Sequence, residues 1–156
     1  LLVTRPFKDD DYIAAAGYEG TVQEIRLCNT VLLTFDNRIV YIPNGTLSTS
    51  TIINYTEKDV RRVDLTFTVT ADNDLEKVKT IIKNACVCHP LALADPETTV
   101  RLAARYSDSM ELVAKIWVRT DDYWTVYYDA IESVKKALDE NNIAAPSNQM
   151  YVHVRN

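Results

Sequence analysis

The sequence predicts an α+β chain of two domains in series: a small β-barrel, then an α/β domain, then a terminal strand. Three observations carry this reading. Apolar runs of strand length, broken by turn residues, crowd the first 55 residues; a faultless two-residue alternation starts near Arg62; and two stretches of helical spacing are interleaved with alternating runs after it.

In chain order, the short runs lie at 12–13, 21–27, 30–35, 38–42 and 51–55. The breaks between them carry Gly17 and Gly20, Cys28-Asn29, Asp36-Asn37 and Pro43-Asn44-Gly45. Five short strands in under fifty residues cannot form two facing sheets of useful area, so a strongly bent sheet closing into a small barrel is expected. Gly17 and Gly20 are expected to permit close strand approach or bulges, and Pro43, Asn44 and Gly45 to reverse the chain tightly after the fourth strand. The charged triplet Glu57-Lys58-Asp59 marks the boundary.

Beyond it, Val63, Leu65, Phe67 and Val69 share one face of a half-buried strand. Asn73 with Glu76 has capping-box spacing, and Leu75, Val78, Ile82, Ala85 and Cys86 follow at helical spacing until His89-Pro90. Val100 to Tyr106 and Leu112 to Val118 read as a hairpin around Ser107-Asp108-Ser109. A second helix begins at Thr120 or Asp121, carries Trp124, Tyr127, Tyr128, Ile131, Val134 and Leu138, and ends at Asn141-Asn142. Tyr151 to Val154 is strand-like, which completes a β-α-β-β-α-β order, the split arrangement of ferredoxin-like domains.

The chain of 156 residues carries a net charge of −5 with its acids spread along the length, which opposes a phosphate-backbone partner. Its apolar stretches are far short of the roughly 20 residues that cross a bilayer as a helix. Three cysteines, an odd count without disulfide density, fit a reducing compartment such as the cytoplasm.

No residue set points to catalysis, a cofactor or a metal. Cys86-Val87-Cys88-His89 has neither the CxxC spacing nor the second ligand pair of a zinc site, and its place in the last turn of a helix makes it structural. His153 has no nucleophile or carboxylate beside it, and Arg61-Arg62 alone do not make an acyl-phosphate site. Asp9-Asp10-Asp11 lacks the spaced ligands of a calcium loop and reads as a solvated turn. Tyr123-Trp124 with Tyr127-Tyr128 reads as packing plus partner contact, not a base-stacking platform.

The opening LLVTRPFKDDD, without an initiator Met, reads as the end of a preceding segment. Arg5-Pro6-Phe7-Lys8 before Asp11-Tyr12-Ile13, then Gly20-Thr21-Val22-Gln23-Glu24-Ile25, Ile42-Pro43-Asn44-Gly45, Ile53-Asn54-Tyr55 and Arg61-Arg62-Val63-Asp64 resemble, in order and spacing, the small-conductance mechanosensitive ion channel family. The resemblance continues through Asp121 to Trp124 and Pro146 to Val152.

What the resemblance implies is the cytoplasmic C-terminal region of a homo-oligomer, typically a heptamer, on the cytoplasmic side of the inner membrane. Its segments would be 1–8, the end of a pore helix and its junction; 9–57, an Sm-like β-domain; 58–145, a ferredoxin-like α/β domain; and 146–156, a strand of an oligomeric barrel. On that pattern Leu2, Arg5, Pro6 and Phe7 form the pore-to-cage junction, and Tyr151, Val152, His153 and Val154 contact neighbouring subunits. The family's pore opens under bilayer tension and releases ions and small solutes on osmotic downshock; missing upstream helices would contact the lipid. Two departures stand out: Asp10 where most members have Gly, and Ser147-Asn148 without a frequent Pro. The competing reading is a stand-alone Sm-like or ferredoxin-like module binding RNA or a small ligand.

Overall fold

The computed structural model describes residues 5–147. The chain divides into two compact units, Leu1–Asp59 and Val60–Asn156, each with its own apolar core. Among the described residues no helix is long and apolar enough to cross a membrane.

The first unit runs β1 (Tyr12–Ala15), β2 (Tyr18–Ile25), β3 (Asn29–Leu33), β4 (Ile39–Pro43), α1 (Asn44–Thr49) and β5 (Ile52–Asn54). All neighbours are antiparallel, in the order β4-β3-β2-β1-β5. β1 and β2 meet through a two-residue turn, Ala16 and Gly17, both at positive φ (52° and 81°). That is the twist a tight hairpin demands, so Gly17 serves the turn. Gly20 lies within β2, not in a turn, and serves close approach: a Cβ there would stand 2.7 Å from the Leu33 carbonyl oxygen on the neighbouring strand. The bulge in this sheet lies elsewhere, between Val22 and Glu24.

The five strands do not close a barrel by backbone pairing, because β4 and β5 are the two outer strands and are not bonded to each other. β5 has only three residues and follows α1, whose Leu47 is buried with Phe7, Ile13, Ala15, Val22, Leu32 and Ile42. A short helix therefore contributes to the core where a strand seam was expected. Pro43, Asn44 and Gly45 open this helix instead of making a tight reversal. Gly45 is not at positive φ, and a Cβ on it would meet nothing within 4 Å. The Asn44 side chain does not cap α1. It reaches back 2.8 Å to the Arg26 carbonyl and 3.2 Å to that of Leu27, and accepts from the Thr30 hydroxyl at 2.8 Å, clasping the β2–β3 turn.

The second unit runs β6 (Val60–Thr70), α2 (Leu75–Val87), β7 (Thr99–Arg105), β8 (Ser109–Arg119) and α3 (Tyr123–Glu140). Its sheet order is β6-β8-β7, with β8 paired along its whole length to β6, from Val60 opposite Arg119 to Thr70 opposite Ser109. The alternation does the rest. Val63, Leu65 and Val69 of β6 and Leu112, Ala114, Ile116 and Val118 of β8 are buried with Val78, Ile82 and Cys86 of α2 and Val126, Ala130, Val134 and Leu138 of α3. Two helices thus share one face of an antiparallel sheet, the split βαβ arrangement. The strand expected at Tyr151–Val154 lies outside the described residues, as does Leu2.

Local details differ from the sequence expectation. α2 is capped by Asp74, which accepts from the Glu76 N–H at 3.2 Å, while Asn73 donates to the Thr70 carbonyl and hydroxyl. Burial pushes the Cys86 thiol up to about 12, so it stays protonated and inert at neutral pH, as a structural cysteine should. His89 links two elements. Its Nδ1 accepts from the Leu91 N–H at 3.1 Å, which leaves Nε2 to donate to Asp129 at 2.8 Å and tie α2 to α3. Tyr123 and Tyr127 pack against the core, whereas Trp124 and Tyr128 stand exposed.

Candidate functional site

The segment that enters the first unit is held by a buried carboxylate. Asp11 is only 6 % exposed. Burying a charge demands compensation, and three donors supply it: the Lys8 N–H at 2.9 Å, Asn54 Nδ2 at 3.0 Å and the Thr56 hydroxyl at 3.0 Å. Desolvation raises the pKa of this carboxyl, but the hydrogen bonds from Lys8, Asn54 and Thr56 together outweigh it and hold the group below its ordinary value. Asp11 is a carboxylate at neutral pH.

Two of the three partners, Asn54 and Thr56, are themselves held by further bonds. Asn54 Nδ2 also donates to the Pro6 carbonyl at 3.1 Å, while its Oδ1 accepts from the N–H groups of Thr56 and Glu57 at 3.0 and 2.9 Å. The Thr56 hydroxyl accepts from the Tyr12 N–H at 3.1 Å. On the other side, the Asp10 N–H donates to the Val22 carbonyl and the Val22 N–H to the Asp11 carbonyl, both at 2.8 Å. Residues 6–11 are therefore fastened to the end of β5 and to β2 at once. Phe7, 3 % exposed, drives an aromatic ring into the core beneath the clasp.

Of the expected junction residues, Phe7 is buried in the β-core, whereas Arg5 and Pro6 are exposed, Pro6 tethered through its carbonyl. The reading of 9–11 as a solvated turn is corrected at Asp11. Sequence reasoning missed it and missed Asn54 and Thr56, because their bonds join positions 43 and 45 residues apart. The available signal was an acid set directly before a strand destined for burial. Asp10 explains its own oddity: its φ is 69°, the left-handed region that glycine adopts without strain. Asp10→Val is expected to lose about 1–2 kcal/mol of stability while Asp10→Gly loses none, measured by urea unfolding.

Among the described residues no group of His, Cys, Asp and Glu is placed to hold a metal ion.

Comparison with known proteins agrees with this architecture in both halves. Residues 1–57 match the model of the mechanosensitive ion channel β-domain, and residues 63–145 that of the mechanosensitive ion channel MscS C-terminal domain. The chain is 35 % identical over 154 residues to a small-conductance mechanosensitive channel of Edwardsiella ictaluri, covering 99 % of this chain and 54 % of the relative. It is 30 % identical to an MscS family protein of Archaeoglobus fulgidus, covering 100 % and 55 %. The crystal structure of Helicobacter pylori MscS in a closed state aligns with a TM-score of 0.91 at 29 % identity, over 99 % of this chain and 62 % of that one. Arabidopsis thaliana MSL1 shares the fold at 20 % identity and a TM-score of 0.74, over 92 % of this chain and 54 % of that one. The chain spans about half the length of the curated relatives it matches.

Proposed function

Because the chain belongs to the MscS family of mechanosensitive ion channels, we propose that it is the cytoplasmic vestibule of a tension-gated channel, joined at its start to pore helices in the inner membrane. Several copies, seven on the family pattern, enclose an aqueous chamber through which ions and small solutes leave on osmotic downshock. The β-domain is the Sm-like ring beneath the pore, and Tyr151 to Val154 contact neighbouring subunits. The chain acts through shape and mechanical linkage, without chemistry of its own.

One observation supports this reading above the others: the segment at 6–11 is bolted to the β-unit by a buried apolar ring and a buried carboxylate. A covalent junction that carries force needs such an anchor, because a fraying N-terminal segment would dissipate displacement before it reached the fold. Phe7 is the apolar half of the anchor.

The test uses the full-length channel in patched membranes. The native protein is expected to give stretch-activated current, and Phe7→Ala, which empties a core position, to shift the opening tension. Absence of any stretch-activated current sinks the channel reading; unchanged gating in Phe7→Ala removes the anchor role alone.

A further inference from the structure

We infer that the second unit carries a binding groove for a small oxyanion of the phosphate type, between α2 and the free edge of β7. The groove has a volume of about 360 Å³ and is walled by Glu76, Lys79 and Lys83 of α2, by Glu97 and Thr98 just before β7, and by Arg101 of β7. Three cations on one groove stand out in a chain whose net charge is −5.

The charges in the groove are not equally committed. Lys83 pairs with Glu97, which neutralises one of each sign. Lys79 lies 3.5 Å from Glu76, whose side chain is largely solvent-exposed, so this pair is loose. Among the described residues Arg101 makes no ion pair, and its planar fork matches an oxyanion in two places at once. The groove is left with a net positive charge and uncommitted N–H donors.

A second observation is independent of charge. Thr98 is 1 % exposed, and its hydroxyl has no hydrogen-bond partner among the described residues. Buried hydroxyls are normally satisfied, and an orphan in the wall of a cationic groove is a donor without an acceptor. A phosphate oxygen supplies an acceptor to Arg101 and Thr98 and competes with Glu76 for Lys79. The proposal concerns the second unit by itself and stands or falls separately from the channel reading.

The test is an amide NMR titration of the chain with inorganic phosphate, against chloride at matched ionic strength. Saturable shifts centred on Lys79, Thr98 and Arg101 are expected. Arg101→Gln should weaken phosphate binding about tenfold, the worth of a charge-assisted hydrogen bond, while Lys136→Gln, the same charge change on α3 outside the groove, should leave it unaltered. Glu76→Gln should tighten binding by freeing Lys79. Shifts that never saturate, that chloride reproduces, or that Arg101→Gln and Lys136→Gln weaken equally would mean general electrostatic attraction and overturn the site.

Discussion

Asp11→Ala is expected to destabilise the first unit by about 3 kcal/mol, because three bonds to a buried charged acceptor are lost at once, leaving the Asn54 amide only the Pro6 carbonyl at 3.1 Å and the Thr56 hydroxyl only Asn54 Oδ1 at 3.3 Å. The Asn54 amide and Thr56 hydroxyl would face a cavity, and the Lys8 N–H would turn to water. Asp11→Asn keeps the shape but sets a new N–H₂ group among existing donors, so a smaller loss of about 1–2 kcal/mol is expected. Chemical denaturation of all three proteins measures both. Equal stability of Asp11→Ala and the native chain would show that the clasp contributes nothing.

The pH dependence follows with a definite sign. The folded carboxyl titrates below its unfolded value of about 3.9, so folding is favoured by the ionised form. That contribution is complete above the unfolded value and disappears as pH falls through the folded one. Stability of the native chain should thus be insensitive to this group between about pH 5 and 8 and decline in acid. Asp11→Asn should show a shallower acid decline.

Ile116→Ala is expected to cost about 3 kcal/mol in the second unit, within the range for truncating a fully buried aliphatic side chain. Ile116 is completely buried at the middle of β8, opposite Val63 and in the core shared with α2 and α3. Thr66→Ala, on the polar face of the same sheet, should change stability by less than about 0.5 kcal/mol. Denaturant midpoints decide: comparable losses in the two variants would mean that the helices do not cover the face assigned to them.

Much of the second unit was open to reading from sequence because its structure is written in local periods. Two-residue alternation at 63–69 and 112–118 and helical spacing through Val78, Ile82 and Cys86 name the buried face directly, and the helices that cover it show the same faces in the core. The first unit was harder. Its strands were recognised as short runs, but closure was not, because whether the outer strands of a bent sheet pair depends on what the connection between them does, and here α1 takes the place of a seam. Gly20 was readable as a close approach; Gly45 was read as a turn and is a helical position with open space beside it.

By itself, the order of residues determined that the chain holds a unit of short strands followed by an α/β unit, which face the second buries, and which channel family the two resemble. Those properties come from patterns only a few residues long or from motifs in fixed succession. Only the tertiary structure decided that Asp11 is a buried clasp and not a solvated acid, that Asn44 holds a distant turn, and that Thr98 lies orphaned in a cationic groove. The physical reason is the same in all three cases. A polar side chain takes its role from the donors and acceptors that folding brings within about 3 Å of it, and at Asp11 and Asn44 the partners come from far along the chain.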